Sequence, residues 1–146
     1  MSRKLRNLNL YLRQLFLPEL ECGFNYVTTQ GSATTCLSRL AGDQVLSARP
    51  EMRLYAENGE GFRENFNTVI FVLDKDLGNA KTAEDEEAQF DRLEVKAAAI
   101  VDRIVADATA GSCGLLSGLT LTDVRMVPQA LIFGSWCGFS IELDFS

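Results

Sequence analysis

Two carboxylate clusters and four isolated cysteines are the residues of this chain whose types and spacing could do chemistry. Asp74-Lys75-Asp76 follows an apolar, β-branched run. Two carboxylates in D-x-D spacing at a strand end can hold a divalent cation and support a metal-dependent reaction. A calcium loop also needs a glycine at position six and a glutamate at position twelve. Here Gly78 falls at position five and Asp85 at twelve, so the pattern fails and the ordinary role of aspartate in turns is preferred. Glu84, Asp85, Glu86 and Glu87 could act as general acids or bases. At the start of a helix they are more simply a solvated acidic surface, favoured by the positive end of the helix dipole. Cys22, Cys36, Cys113 and Cys137 form no C-x-x-C pair, and the chain has no histidine to complete a zinc site. They are expected to be free thiols acting as small hydrophobes.

The absence of histidine also removes the usual triads and the usual neutral-pH acid/base. Gly59-Glu60-Gly61 and Gly111-Ser112-Cys113-Gly114 lack the lysine and the strand–loop–helix setting of a phosphate loop. Gly31-Ser32-Ala33 is not part of a G-x-S-x-G elbow. No catalytic residue, no metal ligand and no cofactor is therefore expected, and the chain is not read as an enzyme.

The elements that must position these residues follow from composition and period. The 146 residues are 47% apolar, enough for one domain, 1–146, with its own core. The formal charge of −6 and pI near 4.7 run against a dedicated nucleic-acid binder, which carries a basic surface. Met1–Leu20 has a basic start but its apolar stretch is interrupted, so no secretory signal is expected, and no run reaches a membrane span. Leu5, Leu8, Leu12, Leu15 and Phe16 recur at helical spacing and predict an amphipathic helix over about 3–16, ended near Pro18. Its basic start could touch a membrane or nucleic acid, but the narrow apolar stripe favours packing on a sheet.

Phe24 to Thr29 predicts a strand. Residues 30–49 are rich in Ser, Thr, Gly and Ala without a clear period, and predict a long loop. Met52, Leu54 and Ala56 alternate with polar residues before Asn58-Gly59, the dipeptide of a tight hairpin turn. The hairpin returns through Phe62 and Phe66 into Thr68–Leu73, a continuous apolar run expected to be a central strand, so the whole hairpin covers about 52–73. Thr82 with Asp85 three residues on reads as a variant capping box, opening a helix over 83–109 with Phe90, Leu93, Ala97, Ile100, Ile104 and Ala108 on its apolar face. Gly111 and Gly114 are expected to end it. A strand over about 119–127, stopped by Pro128, and a strictly alternating strand over 139–146 form the C-terminal pair. The fold class is α+β: a mixed, mainly antiparallel sheet with an N-terminal helix and one long helix packed on one face.

This order of elements resembles the tail terminator, or tail-completion, proteins of long-tailed bacteriophages and prophages. The resemblance rests on the amphipathic first helix, the β-rich run ending in Asp74-Lys75-Asp76, the long helix behind an acidic cap, and the closing Trp136-Cys137-Gly138-Phe139-Ser140-Ile141-Glu142-Leu143-Asp144-Phe145. It implies a structural virion protein, assembled in the host cytoplasm. Its subunits would form a ring, typically hexameric, that caps the tail tube and meets the head-side connector. Implied partners are other copies of the chain, tail-tube proteins and head-connector proteins; DNA passes without specific binding and no membrane is involved. An acidic ring suits such a conduit, because like charges repel phosphates. Candidate contact residues are Arg53, Tyr55, Asn58 and Phe62 on the hairpin and Trp136 in the last turn. Two other readings stand beside this one: a small cytosolic binding module without catalysis, and a divalent-metal enzyme using Asp74 and Asp76.

Overall fold

Thr82 opens the long helix as the spacing predicts. Its hydroxyl accepts from the Asp85 backbone N–H at 3.1 Å, and the Asp85 carboxylate accepts from the Thr82 N–H at 3.1 Å. This reciprocal box satisfies two donors that a helix start leaves open. The computed structural model describes residues 3–56, 59, 61–78, 81–110 and 114–146. Its elements are α1 (Arg3–Gln14), β1 (Gly23–Val27), α2 (Ala33–Leu37), β2 (Gln44–Ala48), β3 (Glu51–Ala56), β4 (Phe62–Lys75), α3 (Ala83–Thr109), β5 (Leu121–Ile132) and β6 (Trp136–Phe145), with 3-10 turns at Pro18–Leu20 and Gln30–Ser32.

The six strands form one sheet in the order β1-β2-β4-β6-β5, and β3 pairs with the first half of β4. Among the described residues, β1 and β2 run parallel and the other pairings are antiparallel. The mixed, mainly antiparallel sheet with α1 and α3 packed against it is thus the expected fold class. Alternation along β4 sends Phe66, Ile70 and Val72 to one face, where they meet Ile141 and Leu143 of β6, Leu93, Ile100 and Ile104 of α3, and Leu8 and Leu12 of α1. Each such buried side chain contributes about 1.5–3 kcal/mol. Phe71 and Leu73 point the other way, into a second cluster with Leu46, Ala33, Leu37 and Trp136.

Several expectations are corrected. Residues 30–49 are not a long loop: they hold a 3-10 turn, α2 and the fully buried β2. Val45 joins the α1–α3 side and Leu46 and Ala48 the α2 side, and a strand covered on both faces shows no alternation to read. Pro128 does not stop β5, which runs on to Ile132. β5 is an edge strand, where a missing N–H need not break the ladder; the register shifts between Leu121 and Asp123 and between Gln129 and Ile132, while Pro128 itself stays paired with Phe139. The last strand begins earlier than expected, at Trp136, and is buried on both faces through Ile141. The first helix ends at Gln14 rather than near residue 16, and Phe16 is 56% exposed instead of lining the core. The last hairpin pair is Ala56 with Phe62, so the connection is longer than a two-residue turn. Gly59 and Gly61 take positive φ there, which favours glycine; Asn58, like Gly111 and Cys113, lies outside the described residues.

Candidate functional site

The densest polar cluster lies where the start of α3 crosses the sheet. Asp43, just before β2, accepts two hydrogen bonds from Arg92 at 2.9 and 3.0 Å and one from Lys96 at 2.5 Å. Asp74, at the end of β4, accepts from Arg92 at 2.7 Å and from Gln89 at 3.1 Å. The Gln89 amide also donates to the Lys75 carbonyl at 2.8 Å, and its oxygen accepts from the Cys137 thiol at 3.0 Å. One face of α3 is thereby tied to β2, β4 and β6. Burial alone would raise the Asp43 pKa, but the hydrogen bonds and charges of Arg92 and Lys96 outweigh it and hold the carboxyl below its ordinary value. Burial, with the Asp76 and Asp74 carboxylates nearby, pushes the Cys137 thiol up to about 11. A thiol held neutral is a poor nucleophile and a poor metal ligand.

Asp76 is occupied too. It accepts from Lys81 at 2.6 Å and from the Gly78 N–H at 3.1 Å, and the Lys81 hydrogen bond holds its carboxyl below the ordinary range. Asp74 and Asp76 are therefore engaged separately, one with α3 and one in its own turn. Among the described residues no three His, Cys, Asp or Glu side chains are grouped to hold a metal ion. Glu84, Glu86 and Glu87 project from the first turn of α3, while Asp85 is used in the cap. The cluster can lock elements together; its carboxylates are already paired. Its members Asp43, Gln89, Arg92 and Lys96 were not singled out from the sequence. Gln89 carried a signal: it is a polar residue on the apolar stripe of α3, one turn before Leu93, and burial there demands partners.

The hairpin presents a different surface. Beyond Phe66, β3 and β4 leave the layer of helices, and every residue of β3 is exposed. Directly paired residues share a face, so Met52, Leu54, Ala56 and Phe62, with Glu64 opposite Leu54, line the side that continues the core face of Phe66. Phe62 is 74% exposed, Leu54 52% and Met52 39%. Arg53 and Tyr55 lie on the opposite side of the arm. At its base, Thr28, Gln30, Arg49, Glu51, Asn67 and Val69 help line a groove of about 490 Å³. Trp136 does not join this surface. It is 2% exposed in the second core cluster, with the Lys75 ammonium 5.8 Å from its ring centroid, so the proposed contact role is withdrawn: its side chain is already covered within the subunit. No helix among the described residues is long and apolar enough to cross a membrane. No protein-family model matches the chain, and no curated protein matches it at a significant level.

Proposed function

We propose that this chain is a structural subunit that works by self-association, as a tail-terminator-like protein whose copies close into a ring. The observation that carries the reading is the apolar arm. Met52, Leu54 and Phe62, with Glu64 beside them, form a sheet face that no helix among the described residues covers. Soluble monomers seldom present clustered large apolar side chains on a projecting hairpin, and such patches mark interaction sites. A repeated arm-to-neighbour contact is heterologous, and heterologous contacts give rings when their rotation closes.

In this reading the subunit does no chemistry. The ring would cap a tail tube, meet a head-side connector and let DNA pass without specific binding, in a virion assembled in the host cytoplasm. Six copies at −6 each would carry about −36, which disfavours retention of a polyanion. Light scattering after size exclusion, with and without tail-tube subunits, tests the proposal. The native chain is expected to form a closed multimer alone or on tube addition. Leu54→Asp with Phe62→Asp should abolish it without shifting thermal unfolding by more than a few degrees, because both side chains are exposed. A strictly monomeric native chain at every concentration, with tube subunits present, would overturn the reading in favour of a small binding module.

A further inference from the structure

The outer faces of α1 and α3 carry stripes that are complementary in charge and similar in length. On α1, Arg3, Arg6, Leu10 and Arg13 recur at three- and four-residue spacing, opposite the buried Leu8 and Leu12. The helix has no acidic residue. Arg3 and Arg6 stand in its first turn, the positive end of its dipole, where a cation is disfavoured. Among the described residues none of the three arginines has an ion-pair partner, and Arg13 rests over the Tyr26 ring, 5.5 Å from its centroid.

On α3, Asp91, Val95, Ala98, Asp102 and Val105 form the stripe opposite the buried Leu93, Ala97, Ile100 and Ile104. No base lies on that stripe. The three bases of α3 sit on one flank and are engaged within the subunit, Arg92 and Lys96 with Asp43 and Asp74, and Arg103 with Asp107. Val95 is 70% exposed between Asp91 and Asp102, neither of which has an ion-pair partner among the described residues. At 1.5 Å per residue, Arg3 to Arg13 spans about 15 Å and Asp91 to Asp102 about 17 Å. Each stripe thus reads as charge, apolar centre, charge, with opposite signs. The helices also cover different parts of the sheet: α1 packs over β2, and α3 over β4, β6 and β5.

We infer that the outer face of α1 in one copy seats against the outer face of α3 in the next copy. The contact is heterologous by construction, since each copy offers two different faces, so it propagates in one direction around a ring. This inference rests on the ring reading above and adds a second, electrostatic contact beside the apolar arm. The arrangement also relieves the arginines at the α1 start, which are left facing the wrong end of their own helix dipole.

Charge reversal tests it. Arg6→Glu with Arg13→Glu, and separately Asp91→Lys with Asp102→Lys, should each weaken assembly about tenfold or more at low salt, while thermal unfolding stays near native. A chain carrying all four reversals should regain assembly, because the pairing is restored with signs exchanged. Raising the salt from 0.05 to 0.5 M should weaken the native assembly, as exposed ion pairs are screened. If the native ring forms and both reversed chains assemble equally well, this contact is overturned while the ring reading stands. If the native chain never assembles, both fall. Loss of binding to a DNA duplex or to anionic vesicles in the α1 variant, with assembly unchanged, would overturn the inference and make α1 a polyanion site.

Discussion

Asp43 accepts from two cations at once, and its side chain is only 10% exposed. Its folded pKa lies below the ordinary 3.8, so the sign of its linkage is settled. The stability it contributes is fully present above 3.8 and is lost as pH falls through the depressed folded value. Asp43→Asn should cost about 1–2 kcal/mol at pH 7, toward the low end for charged hydrogen bonds because Arg92 is 46% exposed. The difference between native and variant chains should shrink below about pH 4. Urea unfolding of both proteins from pH 7 to pH 3 checks this; a difference unchanged at pH 3 would show that the ion pairs contribute little. Cys137 belongs to the same scale. Its hydrogen bond to Gln89 and its raised pKa make it a part of the α3 anchor rather than a reactive thiol.

Elements meet closely at the centre of the sheet, where β6 pairs antiparallel with β4. Gly138 pairs with Leu73 at φ +148°, and a Cβ there would lie 2.0 Å from the Val72 carbonyl oxygen. Backbone atoms cannot yield as a flexible side chain can, so Gly138→Ala should force the two central strands apart and destabilise the fold by more than about 3 kcal/mol. Chemical denaturation reads this directly, and a loss below 1 kcal/mol would mean the strands separate freely at this point. The same pairing explains why Trp136 and Cys137 are covered: they enter the sheet beside Lys75 and Asp74, between the α2 layer and α3. Sequence alone left Trp136 beside two glycines, the setting of a turn.

At the scale of the whole molecule, the subunit is a two-faced sheet from which one hairpin protrudes. Residues 30–49 are held by β2 and α2, with Arg49 donating its N–H to the Val27 carbonyl at 3.0 Å. They are therefore expected to resist proteolysis. Arg53 and Arg63 lie on the exposed part of the arm, so limited trypsin digestion of the free subunit should cut there before it cuts at Arg39. In the assembled protein those arm sites should be protected. Peptide mapping at low and high protein concentration checks both statements, and first cleavage at Arg39 would return that segment to the status of a loose loop.

Read by itself, the chain determined the parts whose signal is local. The capping box at Thr82 and Asp85, the bounds of α3 and the apolar run of β4 all follow from neighbouring residues, because a helix stripe and a cap are written within a few turns. Tertiary structure alone decided the rest. Val45 and Leu46 face opposite layers, so β2 shows no period until both layers are in place. Pro128 ends a strand or merely sits in one according to whether that strand is an edge, and the order of strands is a long-range fact. Phe62 looks as much like core as Phe66; only the end of the helical layer leaves one bare at 74% and buries the other. The Asp43–Arg92–Asp74 cluster joins α3, the end of β4 and the residue before β2, and an ion pair between distant segments leaves no mark in the spacing of either one.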